Sequence, residues 1–458
     1  MDATHPVQAE HRLLRIAVIA ALVVLAAVYL VMPLAPLRLN GDVVEMLTLA
    51  DSFAHGRGLL FHGGPSHYPP GYPVLVASLE RVGWANGISL IVLNLMCIGA
   101  ASVAGYFIYR QAFTLDRPVA LLLTTASLGS WILLRAAPVA TGDAAFLAPS
   151  TGALALMCWT ERREGRAFRA GLSGSLVLTI LAVLLRTAGI VLAAPLIFTA
   201  LRLRPETWLH RARQTARPRR IALMLAFCVT SLLLRTEYGA EAVGEYRSLI
   251  SSAKERDYRL TGLIKAVFHV ALNLPPVHGP LPTPPVMSAA GVVILLFWWA
   301  RGLWSRRARL GAVDVYLVAH LALMACWPFP SQRLWLPAQP VLFGWMWAAL
   351  QGPGGAVRFK LSAAAWGTVY ACFAAATVAY SVRLSLSGPR FPEIYANGHV
   401  ASAYHVVDGT APASASAWYD GIAMLRTFES RLAPAVPRDQ SSAVKPRRLP
   451  WRHRVRAR

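Results

Sequence analysis

Long apolar runs alternate with short, arginine-rich polar segments along most of this chain. The runs cover roughly residues 16–37, 86–109, 118–134, 144–160, 170–185, 188–201, 221–235, 286–304, 312–327, 334–350 and 361–384. The longest reach the roughly 20 residues that an α-helix needs to cross a bilayer. The run 170–201 is read as a pair of short helices broken near Arg186 and Gly189. This pattern predicts an all-α fold, a polytopic membrane helix bundle of about 11 transmembrane helices. The first run has His11, Arg12 and Arg15 at its start and no small-residue cleavage site after it, so it reads as a retained signal anchor. Past Arg383 the pattern stops. Residues 1–384 form one transmembrane domain in this reading, and 385–458 a short basic tail, partly disordered, in which Ala417 to Leu432 could make one helix.

One polar stretch has a pattern of its own. Between Asn40 and Pro73 the chain reads N-G-D-V-V-E-M-L-T-L-A-D-S-F-A-H-G-R-G-L-L-F-H-G-G-P-S-H-Y-P-P-G-Y-P. Met46, Leu47, Ala50 and Ala54 recur at helical spacing, with Glu45, Thr48, Ser52 and His55 on the other side, which predicts a short amphipathic helix on the membrane interface. Gly56 and Gly58 stop it. The helix follows directly on the first span, so Asp42 is the first carboxylate beyond the lipid. Asp42 and Glu45 also have the spacing of a capping box, in which both carboxylates would serve only the helix start.

Composition supports the membrane reading. The 458 residues are 56% hydrophobic and 15% charged, with a mean hydropathy of +0.46, which excludes an ordinary soluble globule. A net charge of +23 would suggest nucleic acid in a soluble protein. Here the arginines concentrate between spans, and orientation and anionic lipid account for them without nucleic acid. With the N-terminus in the cytoplasm, 21 Lys and Arg fall inside against 12 outside as far as Arg333. Eleven spans leave the tail outside, in tension with its basic run K-P-R-R-L-P-W-R-H-R-V-R-A-R: either that run binds anionic headgroups from outside, or the span count around 170–201 is off by one. Cys97, Cys158, Cys228, Cys326 and Cys372 are scattered singly and read as packing residues, neither a disulfide frame nor a zinc site.

The external segments are then 38–85, 135–143, the break at 186–189, 236–285 and 328–333. They carry Asp42 and Glu45, Asp143 in T-G-D-A, Arg186, Lys265, and Arg333 in P-F-P-S-Q-R. Asp143 also suits a helix cap, Tyr68 and Tyr72 of Y-P-P-G-Y-P suit interfacial anchors, and Arg186 and Arg333 suit snorkelling span ends. His55, His62 and His67 share the Asp42 loop, but their spacing matches no standard ligand set, so no metal site is assigned.

A first span followed by G-D-x-x-E, a helix ending in G-R-G, and Y-P-P-G-Y-P opening the second span resembles the GT-C class of integral-membrane glycosyltransferases. The similarity is to the bacterial branch with protein O-mannosyltransferase-like and aminoarabinose-transferase-like members. T-G-D-A-A-F-L at 141–147, L-L-R-T-A-G-I at 184–190 and Q-R-L-W-L-P-A-Q-P at 332–340 follow in the family's order, over about residues 12–384. Met46 stands where an aromatic residue often follows the acidic pair, Trp335 replaces the Tyr expected one place earlier, and the C-terminal external domain of larger members is short. The resemblance implies hexosyl or pentosyl transfer, with inversion, from a polyprenyl-phosphate sugar to an envelope acceptor: a glycan, a lipid or a protein. The active site would lie on the periplasmic face of a bacterial inner membrane. By resemblance Asp42, with Glu45, is catalytic; the charge on a leaving phosphate calls for a fixed cation, for which Arg333 and then Arg186 are the candidates, and Tyr68, Tyr72, Asp143 and Lys265 are candidates for substrate contact. A low-dielectric edge would raise the Asp42 pKa into the range of a general base. Some members of the class use a divalent ion; nothing in the residues indicates one here. The other readings are a multi-span transporter or flippase and a non-catalytic envelope scaffold.

Overall fold

The computed structural model describes residues 5–61, 64–66, 68–201, 269–274, 285–326, 332–350 and 356–387. They form an all-α bundle with one two-residue hairpin, Leu60–Phe61 against Gly64–Pro65. The helices are α1 His5–Val31, α2 Gly41–Ala54, α3 Gly71–Arg81, α4 Gly87–Gln111, α5 Arg117–Leu128, α6 Trp131–Ala136, α7 Gly142–Thr160, α8 Gly165–Leu185, α9 Ala193–Leu201, α10 Pro285–Arg306, α11 Ala312–Cys326, α12 Gln339–Leu350 and α13 Ala356–Ser385. Turns of 3₁₀-helix at Thr187–Leu192 and Gln332–Ala338 lead into α9 and α12.

Leu14–Leu34, Gly87–Gln111, Gly165–Leu185 and Ala363–Ser385 are long and apolar enough to cross a membrane. Their outward faces carry large apolar side chains in the open, among them Leu30, Met96, Val103 and Val177. Such faces belong in lipid, where apolar surface is no liability. The polytopic membrane class is therefore as expected. The run 118–134 is two helices, α5 and α6, separated at Gly129 and Ser130. The break at Arg186 is present, and the run 221–235 and the tail from 388 onward lie outside the described residues.

Chain direction divides the bundle into two ends. Successive helices carry the chain to one end at residues 32–41, 129–142, 186–192 and 332–338, and to the other at 112–116, 161–164 and 307–311. The first end, where the external segments were expected, is named the outer end and the other the inner end, and the outer end is built for close approach. A Cβ at Gly71 would lie 2.6 Å from the Leu184 carbonyl oxygen, and one at Gly142 only 3.0 Å from that of Leu185. Glycine at the first residue of α3 and of α7 thus lets both helix starts press on the last turn of α8. Buried Asn94 of α4 donates to the carbonyls of Ala137 and Val139 at 2.9 Å each, and Arg38 N–H donates to Pro138 O at 2.8 Å. The irregular lead into α7 is thereby fixed between α4 and the segment after α1.

Candidate functional site

The amphipathic helix forms where the sequence placed it, but its cap is different. Asn40 is the N-cap, its side-chain oxygen accepting from Val43 N–H at 2.9 Å. Asn and Asp are equally good caps, and Asn40 comes first. Asp42 therefore sits inside the first turn, and its carboxylate is not used by the helix. The capping-box reading fails for Glu45 as well: its carboxylate accepts from Ser66 Oγ at 2.9 Å. The helix is also more enclosed than an interfacial helix, since Ser52 on the expected polar side is buried with Val43, Met46, Leu47 and Leu49.

Asp42 meets two partners from distant parts of the chain. Tyr68 Oη donates to Asp42 Oδ1 at 2.9 Å, and Arg333, from the 3₁₀ turn before α12, forms an ion pair through Nη1 with Oδ2. The same Nη1 lies 3.7 Å from Asp143 Oδ2. Asp143 stands in the first turn of α7 without capping it. Its Oδ1 is 2.5 Å from Arg186 Nη2, and its Oδ2 accepts from Thr141 Oγ1 at 2.7 Å. Asp42, Arg333, Asp143 and Arg186 thus form a row of alternating charge, although the sequence offered the two arginines equally as snorkelling ends.

Arg186 holds an extended backbone at the break, φ −152° and ψ 131°. Its Nε and Nη2 are buried and make no aligned hydrogen bond, so the short approach to Asp143 is Coulombic and leaves donors unspent. The row also differs in exposure along its length. The side chains of Arg333 and Asp42 are 36% and 28% exposed, those of Arg186 and Asp143 only 11% and 6%.

These neighbours overturn one electrostatic expectation. Burial pushes the Asp42 carboxyl up, but the charge and hydrogen bond of Arg333, the charge of Arg186 and the Tyr68 hydroxyl together hold it below the ordinary carboxylate value. Burial pushes the Tyr68 hydroxyl up, and the charges of Asp42 and Glu45 push it further, so it remains a donor. Burial works against the charge of Arg333, yet Asp143 and Asp42 leave its pKa raised.

Tyr72 is fully enclosed, its hydroxyl without a hydrogen-bond partner, which excludes a place in a lipid-facing aromatic belt. Lys265, His62 and His67 lie outside the described residues. His55 belongs to another group: its Nδ1 is 3.3 Å from Asp51 Oδ1, and Arg57 Nη2 is 2.5 Å from Asp51 Oδ2. Asp42 and Asp143 share Arg333, and Arg186 balances the second. They do not fit a metal ion as they stand. Sequence reasoning missed Ser66 and Thr141, small hydroxyls for which only adjacency to Tyr68 and Asp143 was a signal.

No protein-family model matches the sequence, and no curated protein matches it. The fold is similar to that of ArnT from Cupriavidus metallidurans bound to undecaprenyl phosphate, with TM-score 0.51 and 14% identity over 88% of this chain and 75% of that one. The archaeal oligosaccharyltransferase AglB from Archaeoglobus fulgidus, in complex with an inhibitory peptide and a dolichol-phosphate, gives TM-score 0.47 and 14% identity over 94% of this chain and 61% of that one. The chain shares its polytopic all-α fold with ArnT.

Proposed function

We propose that the protein is a membrane glycosyltransferase that takes a sugar from a polyprenyl-phosphate donor and passes it, with inversion, to an envelope acceptor. One observation carries the reading: a carboxylate just past the first apolar helix shares a partly open site with guanidinium groups. Chemistry on a lipid-linked sugar needs that pairing. Asp42 accepts the proton of the acceptor hydroxyl as its oxygen attacks the anomeric carbon. The bond from that carbon to the phosphate oxygen breaks, and its electron pair leaves with the phosphate. Arg333 and Arg186 face the charge that develops there. The fold of ArnT, described in complex with undecaprenyl phosphate, supports this donor class.

Asp143 keeps Arg186 and Arg333 in place, Glu45 anchors the loop through Ser66, and Tyr72 walls the site from within. Lys265 remains a candidate for substrate contact. The arginine distribution supports a site on the external face, and the family resemblance supports a bacterial inner membrane. The test is transfer of label from a radiolabelled polyprenyl-phosphate sugar to envelope acceptors by purified protein. Asp42→Asn should abolish transfer at unchanged expression. Full activity in Asp42→Asn together with none in Asp143→Asn would assign the base to the other carboxylate.

A further inference from the structure

In the structure both oxygens of Asp42 are engaged, Oδ1 by Tyr68 and Oδ2 by Arg333. An oxygen held by a guanidinium is a poor proton acceptor, and a guanidinium held by a carboxylate is a poor phosphate ligand. The base and the phosphate-binding cation therefore silence each other at rest. Tyr68 is tied down, because its own N–H donates to Ser66 Oγ at 3.1 Å and Ser66 holds Glu45. Arg333 is the more exposed member of its ion pair and has a second carboxylate, Asp143, within 3.7 Å.

We infer that Arg333 is an exchangeable partner: the donor phosphate draws it off Asp42, and only then is Asp42 Oδ2 open to an acceptor hydroxyl. This rests on the donor class proposed above and adds an order to it, donor before acceptor. The exchange would protect a lipid-linked sugar from misdirected attack, since the base is unmasked only where a phosphate is bound. Around Asp42 the charged and titratable groups are Arg333 and Arg186, with Asp143 beside both, Tyr68 from the loop before α3, and Glu45 on α2 itself. Withdrawal of Arg333 leaves Tyr68 as the directing hydrogen bond and shifts the carboxyl up from its low resting value.

Undecaprenyl phosphate is the probe, its binding to the full chain in detergent measured by native mass spectrometry. If binding must first break the Asp42–Arg333 pair, Asp42→Asn should bind it roughly two- to fivefold more tightly than the parent, the scale of a partly exposed ion pair. Arg333→Ala should bind more weakly. In an Arg333→Ala background, Asp42→Asn should bring no further gain, because there is no pair left to break. An equal gain in both backgrounds would mean simple repulsion between Asp42 and phosphate, and no gain would mean that no exchange occurs; either overturns the inference. A second readout uses the parent protein. Labelling of Asp42 by a water-soluble carbodiimide and an amine should rise when undecaprenyl phosphate is bound, and bound lipid with unchanged labelling also overturns it. Failure of undecaprenyl phosphate to bind at all would remove the donor assignment as well, which separates the two failures.

Discussion

The bundle carries a charge cluster at each end, and they are built to different standards. They stand about one α7 apart, roughly 27 Å for 18 helical steps. At the inner end Arg306 places Nε and Nη2 on the two oxygens of Asp314 at 2.9 Å each and Nη1 on Ala112 O at 2.9 Å, with its guanidinium 4.4 Å from the Phe113 ring centre. Asp314 also receives Gly311 N–H at 2.8 Å and Trp345 Nε1 at 2.7 Å. At the outer end, Arg186 has buried donors without hydrogen bonds, and Arg333 is divided between two carboxylates. A saturated network has one arrangement and joins helix ends rigidly; an unsaturated one retains capacity for a ligand. The contrast separates a joint from a site although both are made of arginine and aspartate.

The largest expected effects test that division directly. Asp42→Asn should lower the transfer rate by about a hundred- to ten-thousandfold, the usual contribution of a positioned general base. Its effect on thermal unfolding should stay within about 1 kcal/mol, because the pair it breaks is partly exposed. Asp314→Ala should do the reverse. It leaves Arg306 charged, largely enclosed and without its carboxylate partner, at a cost of about 3 kcal/mol, read as a fall in Tm in detergent. The fraction that remains folded should transfer sugar at nearly the parental rate. A stable but inactive Asp314→Ala would place chemistry at the wrong end of the bundle.

The outer cluster was partly legible in the sequence because membrane helices end where charge begins. Asp42, Asp143, Arg186 and Arg333 each stand at the margin of an apolar run, so their common end of the bundle followed from hydropathy and direction alone. Their pairing did not, since a linear pattern carries no record of which helix ends meet. Hence the Asp42 carboxyl was expected to be raised, as burial alone would have it, and is held low by a residue from the far side of the chain. The inner cluster was scarcely visible. Asp314 lies in a mostly apolar helix, Arg306 counted only toward orientation, and nothing in the linear pattern ties Trp345 to either. Its Nε1 is committed to Asp314, a hydrogen bond that only the fold reveals.

A smaller effect sharpens the description of the outer cluster. Tyr68→Phe removes one hydrogen bond to a charged carboxylate, worth about 1.5–3 kcal/mol, and should reduce transfer roughly tenfold or more. Because that bond favours the ionised form, its loss lifts the Asp42 pKa, and the acid limb of kcat/KM should move to higher pH. An unmoved limb would mean that Tyr68 only packs against the loop.

The smallest effect comes from a third group of charges, which supplies the control. Glu80 on α3 faces Asp51 on α2, with His55 and Arg57 beside them at the rim. Burial raises the Glu80 pKa, and the Asp51 charge and hydrogen bond raise it further, against the opposite pull of His55 and Arg57. A carboxyl raised above its unfolded value costs nothing below its unfolded pKa, and its opposition to folding builds as pH climbs from there through its folded pKa. Glu80→Gln should therefore raise Tm slightly at neutral pH, by no more than about 0.5 kcal/mol for so solvated a group. The gain should fade as pH falls through the folded pKa and be gone below the unfolded one, where the parent side chain is neutral in both states. A gain that persists at low pH would come from packing. Transfer should be unchanged at every pH, since this group shares no hydrogen bond with Asp42, and a loss of transfer would extend the site along α2 to its far end.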